Sequence, residues 1–394
     1  MNFKIFSIIT ILLVSIFLSS CATAPDTPSF KTSNTTFDFK QESFTKYIKE
    51  TKNWLENNRF VLSTNKQKEI DANLPFEVKA KNTQAKKAIL LVHGLTDSPG
   101  YFKDISKVFT KNGYLVRTIL LPGHGSKPGD LINVSINDWE ESLKHNINLL
   151  KKEDYDIWLG GFSTGANLVT TYAYDDKSIK GLYLFSPGFY SRSSLISLVP
   201  YVNLFINWLD VDEENDIYKY QSMPMNAVYM YYKTTLKVQD KFEKSAFDRP
   251  VFLVLSKDDS VINYEKTINV FKSKFTNPDS KFILYTNTTN LDNKFKELET
   301  NKKFKLYNSY LPNQRVSNFS HMSVLFSPEN EHYGKNGSYL MLNNGQEEKK
   351  FISREKSWFS AWGLNIDGIY HARLTWNPHF NELEKDIEKF QLNE

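Results

Sequence analysis

Ile157-Trp158-Leu159-Gly160-Gly161-Phe162-Ser163-Thr164-Gly165 sets a serine between two glycines directly after an apolar run. This is a G-x-S-x-G pattern, and its chemistry needs a buried strand, a sharp turn and a helix that leaves at once. Such a turn holds the serine in a strained conformation, with its hydroxyl raised above the sheet. Gly161 and Gly165 lack β-carbons, so strand and helix can close around the turn. The residues that follow, Ala166-Asn167-Leu168-Val169-Thr170-Thr171-Tyr172-Ala173, read as helix. Glycine-bearing loops produce the bare pattern by chance. With a strand before it and a helix after it, Ser163 becomes the candidate nucleophile.

Outward from this point, short apolar runs recur at 88–92, 114–120, 157–159, 181–185 and 251–255. Runs apolar on both faces suit a parallel sheet covered by helices on each side. Trp139, Leu143, Ile147 and Leu150 recur at helical spacing and make one crossover helix between two of them. The alternation implies an α/β fold, a doubly wound and mostly parallel sheet with right-handed crossovers. Leu383, Ile387 and Phe390 give a closing amphipathic helix. From about 188 to 248 no strand is evident and aromatic residues abound, most of them packing the segment's own core. An insertion there falls over the carboxyl ends of the strands, where open α/β sheets bind ligands, and it reads as a helical lid. The acidic run 210–214 within it reads as a solvated face, and 287–303 as a surface excursion. The stretch 327–363 suggests no role.

The chain opens with one lysine, an apolar stretch over 5–18, and small residues leading to Cys21. That is the three-part build of a secretory signal, too short for a membrane span. Leu18-Ser19-Ser20-Cys21 resembles the bacterial lipobox, which implies removal of residues 1–20 and a lipid on Cys21. Cys21 is the sole cysteine, and an oxidising compartment makes an unpaired thiol a liability unless it is used. The alternative is an ordinary signal with an incidental cysteine. Ala22 in place of an aspartate favours, by the same resemblance, the outer membrane of a cell envelope. Residues 21–45 are rich in Thr, Ser, Pro, Asp and Asn and read as a flexible tether, leaving 46–394 as the folded domain.

With 49 Lys+Arg against 45 Asp+Glu, the surface offers nucleic acid no electrostatic footprint. A hydrophobic fraction of 40% can build a core. The histidines and carboxylates show no ligand spacing, so neither a metal nor an organic cofactor is expected.

A serine hydroxyl needs an adjacent base, and the base needs an orienting acid. In this architecture the chain order is Ser, acid, His. The strand over 251–256 leads into Lys257-Asp258-Asp259-Ser260-Val261, so either aspartate can serve. Of the four later histidines, His321 falls shortly after the last strand-like segment, where the base-bearing loop belongs; His332, His371 and His379 lie farther on. Donors for the developing oxyanion are expected at the N–H of Thr164 and, from the loop Val92-His93-Gly94-Leu95-Thr96-Asp97, at the N–H of Leu95. His93 and His124 read as residues that shape loops.

Taken in order, His93-Gly94-Leu95-Thr96, Leu121-Pro122-Gly123-His124-Gly125 with Trp139, Gly161-Phe162-Ser163-Thr164-Gly165, Asp259 and Ser320-His321 resemble the α/β-hydrolase superfamily. The likeness is to bacterial serine esterases similar to monoacylglycerol lipases and lysophospholipases, and it spans roughly residues 85–325. It implies Asp259 as the acid, because the family's acid stands two residues before an apolar one, here Val261. It further implies a Ser163-His321-Asp259 acyl-enzyme mechanism on carboxylic esters, while the apolar lid and the membrane tether suggest acyl lipids or other hydrophobic esters as substrates. Phe162 and Thr164 replace commoner residues beside the serine, which bears on substrate more than on mechanism. Two readings stay open beside it: a peptidase or thioesterase on the same scaffold, and a catalytically inactive lipoprotein of the envelope.

Overall fold

Ala88, Leu90 and Val92 pack on one side of their strand and Ile89 and Leu91 on the other, and all five are buried. A strand covered on both faces belongs inside a parallel sheet. In the computed structural model, which describes residues 24–80, 86–291, 293–346 and 353–392, that sheet is the centre of the molecule. Cys21 and the expected signal segment lie outside the described residues.

The strands are β1 (Glu77–Val78), β2 (Lys87–Val92), β3 (Leu115–Ile119), β4 (Asp156–Phe162) and β5 (Leu182–Phe185), then β6 (Trp208–Asp210) and β7 (Met223–Pro224) in an excursion, then β8 (Val251–Ser256), β9 (Lys281–Thr286) and β10 (Phe304–Asn308). Eight of them form one sheet in the order β1-β3-β2-β4-β5-β8-β9-β10. Its pairs are parallel except β1 with β3. Helices Ile136–Lys152, Thr164–Asp175, Met225–Lys244 and Tyr264–Lys274 cover one face through Trp139, Leu168, Val238 and Phe271. Helices Lys103–Lys111 and Phe380–Leu392 cover the other through Val108, Phe109, Ile387 and Phe390. The same face carries a small parallel pair, β11 (Trp358–Ser360) with β12 (His371–Arg373).

Three expectations change. The proposed tether is laid against the body: Ser33 N–H donates to Asp130 Oδ1 at 2.5 Å, the Phe30 ring meets Trp208 edge-on at 5.0 Å, and Phe39 is buried. Its aromatic residues supply the apolar area that its polar composition hides. The chain is already helical at Phe44–Asn58, capped by the Ser43 side chain. The segment 188–248 is only partly helical, because β6 and β7 pair antiparallel within it. Strands of two or three residues are too short to show a period. Nor is the acidic run merely solvated, since the Glu214 carboxylate accepts the N–H groups of Gln221 and Ser222 at 3.0 and 2.8 Å.

Phe390 packs its ring against Trp158, Tyr183 and Phe252 at 5.3–6.2 Å, which ties the closing helix to the sheet. Phe390→Ala is expected to cost about 3–5 kcal/mol, as for other large-to-small core changes. A urea titration would read this, and an unchanged midpoint would show that the closing helix carries no share of the core.

Candidate active site

β4 ends at Phe162 and the next helix begins at Thr164, so the whole reversal falls on Ser163, whose φ is 52° and ψ −115°. A non-glycine residue there costs on the order of 1–3 kcal/mol and persists only when its neighbours hold it. They do: Ser163 N–H donates to Phe185 O at 3.0 Å, and its carbonyl accepts Ala166 N–H and Gly188 N–H, both at 3.1 Å. The two glycines are needed for space. A β-carbon on Gly161 would lie 2.5 Å from Ala166 N, and one on Gly165 would lie 2.0 Å from Val92 O.

After β8 the chain turns so that Asp259 is fully buried. Its Oδ1 accepts the N–H groups of Val261 and Ile262 at 2.8 and 3.0 Å, which aims Oδ2 at His321 Nδ1, 2.6 Å away. Asp258 instead faces Asn318, and burial raises its carboxyl above the ordinary range. Of the two aspartates, Asp259 is the one the structure brings to the imidazole. With Nδ1–H given to the carboxylate, His321 Nε2 is left as a proton acceptor. The histidine loop is held from the strands beside it. Ser256 Oγ donates to Phe319 O and Ser186 Oγ to His321 O, each at 2.9 Å, while the Phe162 ring packs on the imidazole at 4.9 Å. The segment 185–188 therefore bonds both the backbone of Ser163 and that of His321. Ser186, at φ 42°, escaped the sequence reading, as no motif or period marks it.

The loop after β2 closes the third side. A β-carbon on Gly94 would fall 3.1 Å from Ser163 Cβ and 2.4 Å from Asp97 Oδ2, so this backbone abuts the serine and the Asp97 carboxyl packs against Gly94. Thr164 opens its helix, which leaves its N–H without an intrahelical acceptor. Thr96 is left-handed at φ 66°, and Tyr220 N–H of the excursion donates to its carbonyl at 2.9 Å. His93 shapes this loop: Leu121 N–H donates to its Nε2 at 3.1 Å, so the proton sits on Nδ1 and goes to Gly94 O at 2.8 Å. That pattern needs a neutral ring, and burial with His124 nearby holds the His93 pKa well below the usual imidazole range. Burial lowers that of His124 to about 4. Burial also raises the Asp97 carboxyl to about 6, against the pull of Lys219, Tyr101 and His321.

The later histidines are engaged elsewhere. His332 Nε2 lies 3.0 Å from Asp216 Oδ1, His371 Nε2 lies 2.9 Å from Ser317 Oγ, and His379 Nε2 lies 2.7 Å from Asn308 O. Among the described residues, no group of three or more His, Cys, Asp or Glu is gathered to hold a metal ion.

A match to the family described as serine aminopeptidase, S33, covers residues 83–289. The chain is 31% identical over 94 residues to the thermostable monoacylglycerol lipase of Bacillus sp. (strain H-257), over 24% of this chain and 38% of the lipase. That match spans well under two thirds of the lipase's length. It is 22% identical over 206 residues to a carboxylesterase of Bacillus subtilis (strain 168), over 50% of this chain and 82% of that enzyme. A solved structure from work on the metagenome-derived lipolytic enzymes LipS and LipT superposes with a TM-score of 0.47 at 16% identity, over 54% of this chain and 87% of the other.

Asp259→Asn keeps the shape but reverses the imidazole tautomer, and turnover is expected to fall about 10⁴-fold while Asp258→Asn stays within about 3-fold of the parent. Equal losses would unseat Asp259. The pH dependence of stability follows from the buried histidines. His93 and His124 stay neutral when folded but bind protons in the unfolded chain below their ordinary pKa of 6.5. Their contribution is full above that pH and is lost as pH falls toward about 4. Asp97, raised from 3.8 to about 6, acts in the opposite sense over part of this window. Burial raises the carboxyls of Asp210, Glu214 and Asp258 as well, and they oppose the histidines toward the acid end of the window, so the histidines set the sign near pH 6.5. The urea midpoint should therefore begin to drop as pH falls through 6.5, and His124→Gln should lessen that drop.

Proposed function

Because this chain belongs to the serine aminopeptidase S33 family of α/β-hydrolases, we propose that it is a serine hydrolase of carboxylic esters. The observation that carries the reading is the 2.6 Å contact between Asp259 and His321, on a loop bonded to the same segment that grips Ser163. Ser163 Oγ attacks the acyl carbon while His321 Nε2 takes its proton. The N–H groups of Leu95 and Thr164 receive the negative charge on the carbonyl oxygen. His321 then gives the proton to the departing alkoxide, leaving an acyl-serine. A water, deprotonated by His321, attacks that ester, and the acid leaves with Ser163 restored.

The substrate class is an acyl lipid or another hydrophobic ester. Leu195, Leu198, Tyr201, Leu204, Phe205 and Leu209 are exposed on the excursion that follows β5, with Phe205 85% accessible. So much apolar surface on a segment that sets out from Gly188, bonded to the Ser163 backbone, suits acyl chains, and the excursion serves as a lid. The named relatives, a monoacylglycerol lipase and a carboxylesterase, support the same class. Cys21 carries the lipid that anchors the protein in a bacterial envelope, at the outer membrane, and residues 1–20 are the signal that delivers it.

Hydrolysis of esters from short to long acyl chains, with Ser163→Ala alongside, tests this. A Ser163-dependent optimum at long chains is the expected result. A short-chain optimum would make the enzyme a general esterase. Peptide or thioester turnover far above ester turnover would overturn the ester assignment, and a folded protein that takes no fluorophosphonate at Ser163 would make it a binding lipoprotein.

A further inference from the structure

Residues 327–346 lie beyond the family match, yet they grip the excursion at a point that reaches the oxyanion loop. Asp216 is 1% exposed. Tyr333 donates its hydroxyl to Asp216 Oδ2 at 2.5 Å, and His332 Nε2 lies 3.0 Å from Oδ1. Oδ1 also accepts the Tyr218 N–H at 3.0 Å, folding the carboxylate onto its own chain. Next to it, Tyr339 donates to Asn215 Oδ1 at 2.7 Å and accepts from Gln221 Nε2 at 3.3 Å. A buried carboxylate has no water to fall back on, so these partners share in holding the segment 215–221 in one place.

The held segment includes Tyr220, whose N–H donates to Thr96 O at 2.9 Å. Thr96 is β-branched and left-handed at φ 66°, a conformation that only its surroundings can keep. The residue before it is Leu95. We propose that Asp216 is a positioning residue for the oxyanion loop. Fixed by His332 and Tyr333, it sets the 216–220 backbone so that Tyr220 N–H keeps Thr96 left-handed and Leu95 N–H aimed at the reacting oxygen. This rests on the ester-hydrolase reading above and gives the late stretch 327–346 a part in it. The other flank of the segment is held independently, because Arg59 Nη2 and Asn73 Nδ2 donate to Ile217 O at 3.1 and 2.8 Å. Losing the Asp216 carboxylate therefore loosens the segment without releasing it.

The test uses the full chain and a short-chain ester. Asp216→Asn keeps the size but turns an amide N–H₂ toward the Tyr333 hydroxyl, and Tyr333→Phe keeps the ring and loses only the donor. Both are expected to lower kcat about 10-fold with KM changed less than about 3-fold, a smaller effect than the ~10²–10³ of deleting an oxyanion donor outright. Affinity for an alkyl boronic acid, whose tetrahedral adduct on Ser163 occupies the oxyanion position, should weaken by about the same factor. Adding Thr96→Gly should bring kcat back to within about 3-fold of the parent, because glycine takes positive φ unaided. A purely structural Asp216 predicts otherwise: unchanged kcat in the folded variants, or a Thr96→Gly that deepens the loss. Either result overturns the proposal. A parent protein with no Ser163-dependent reaction removes the ester-hydrolase reading itself, and the positioning role falls with it.

Discussion

The rest of the site depends on how closely the helix beginning at Thr164 presses on β2. At Gly165 the two backbones leave no room for a methyl group, since a β-carbon would sit 2.0 Å from Val92 O. That approach brings the helix start and the loop after β2 to one spot, so backbone donors from two distant parts of the chain can share a single acceptor. The cost is the left-handed backbone of Ser163, offset by its bonds to Phe185, the last residue of β5, and to Gly188 just beyond it. With β2, β4 and β5 adjacent in the sheet, nucleophile, donors and strain relief are all supplied by neighbouring strands.

Much of this was legible in the sequence, for a local reason. What the turn at Ser163 requires lies within a few residues of it: an apolar run, two glycines and a helical stretch. The buried strands were equally plain, since a run apolar on both faces has few alternatives in a chain of this size. Asp259 was less so. Sequence alone left Asp258 and Asp259 level, and only the family resemblance separated them. What divides them physically is that Val261 and Ile262 donate to one of the two carboxylates and point it at His321.

The unread parts share a different character. β1, β6 and β7 are two or three residues long, too short for a period to show. The N-terminal segment looked like a tether because its polar residues outnumber the four phenylalanines at 30, 37, 39 and 44. The network around the oxyanion loop is built from polar side chains in aperiodic stretches, where burial follows from partners far away. Asp216, two residues past the acidic run 210–214, carries no mark of its own until Tyr333, 117 positions later, is laid against it.

Those separations bear on when activity can appear. The bond that holds the His321 loop to Ser186 spans 135 positions, and Arg59 reaches across 158 to Ile217. Closing such loops is entropically costly and slow, so contacts of this range form late in folding. The elbow at Ser163 needs only β5 and the residues just after it to hold its backbone, but with no base aligned and the loop after β2 not yet fixed it does no chemistry. A chain still being synthesised therefore stays inert until its last third has docked. The long-range architecture works as a timer, coupling the onset of catalysis to completion of the fold.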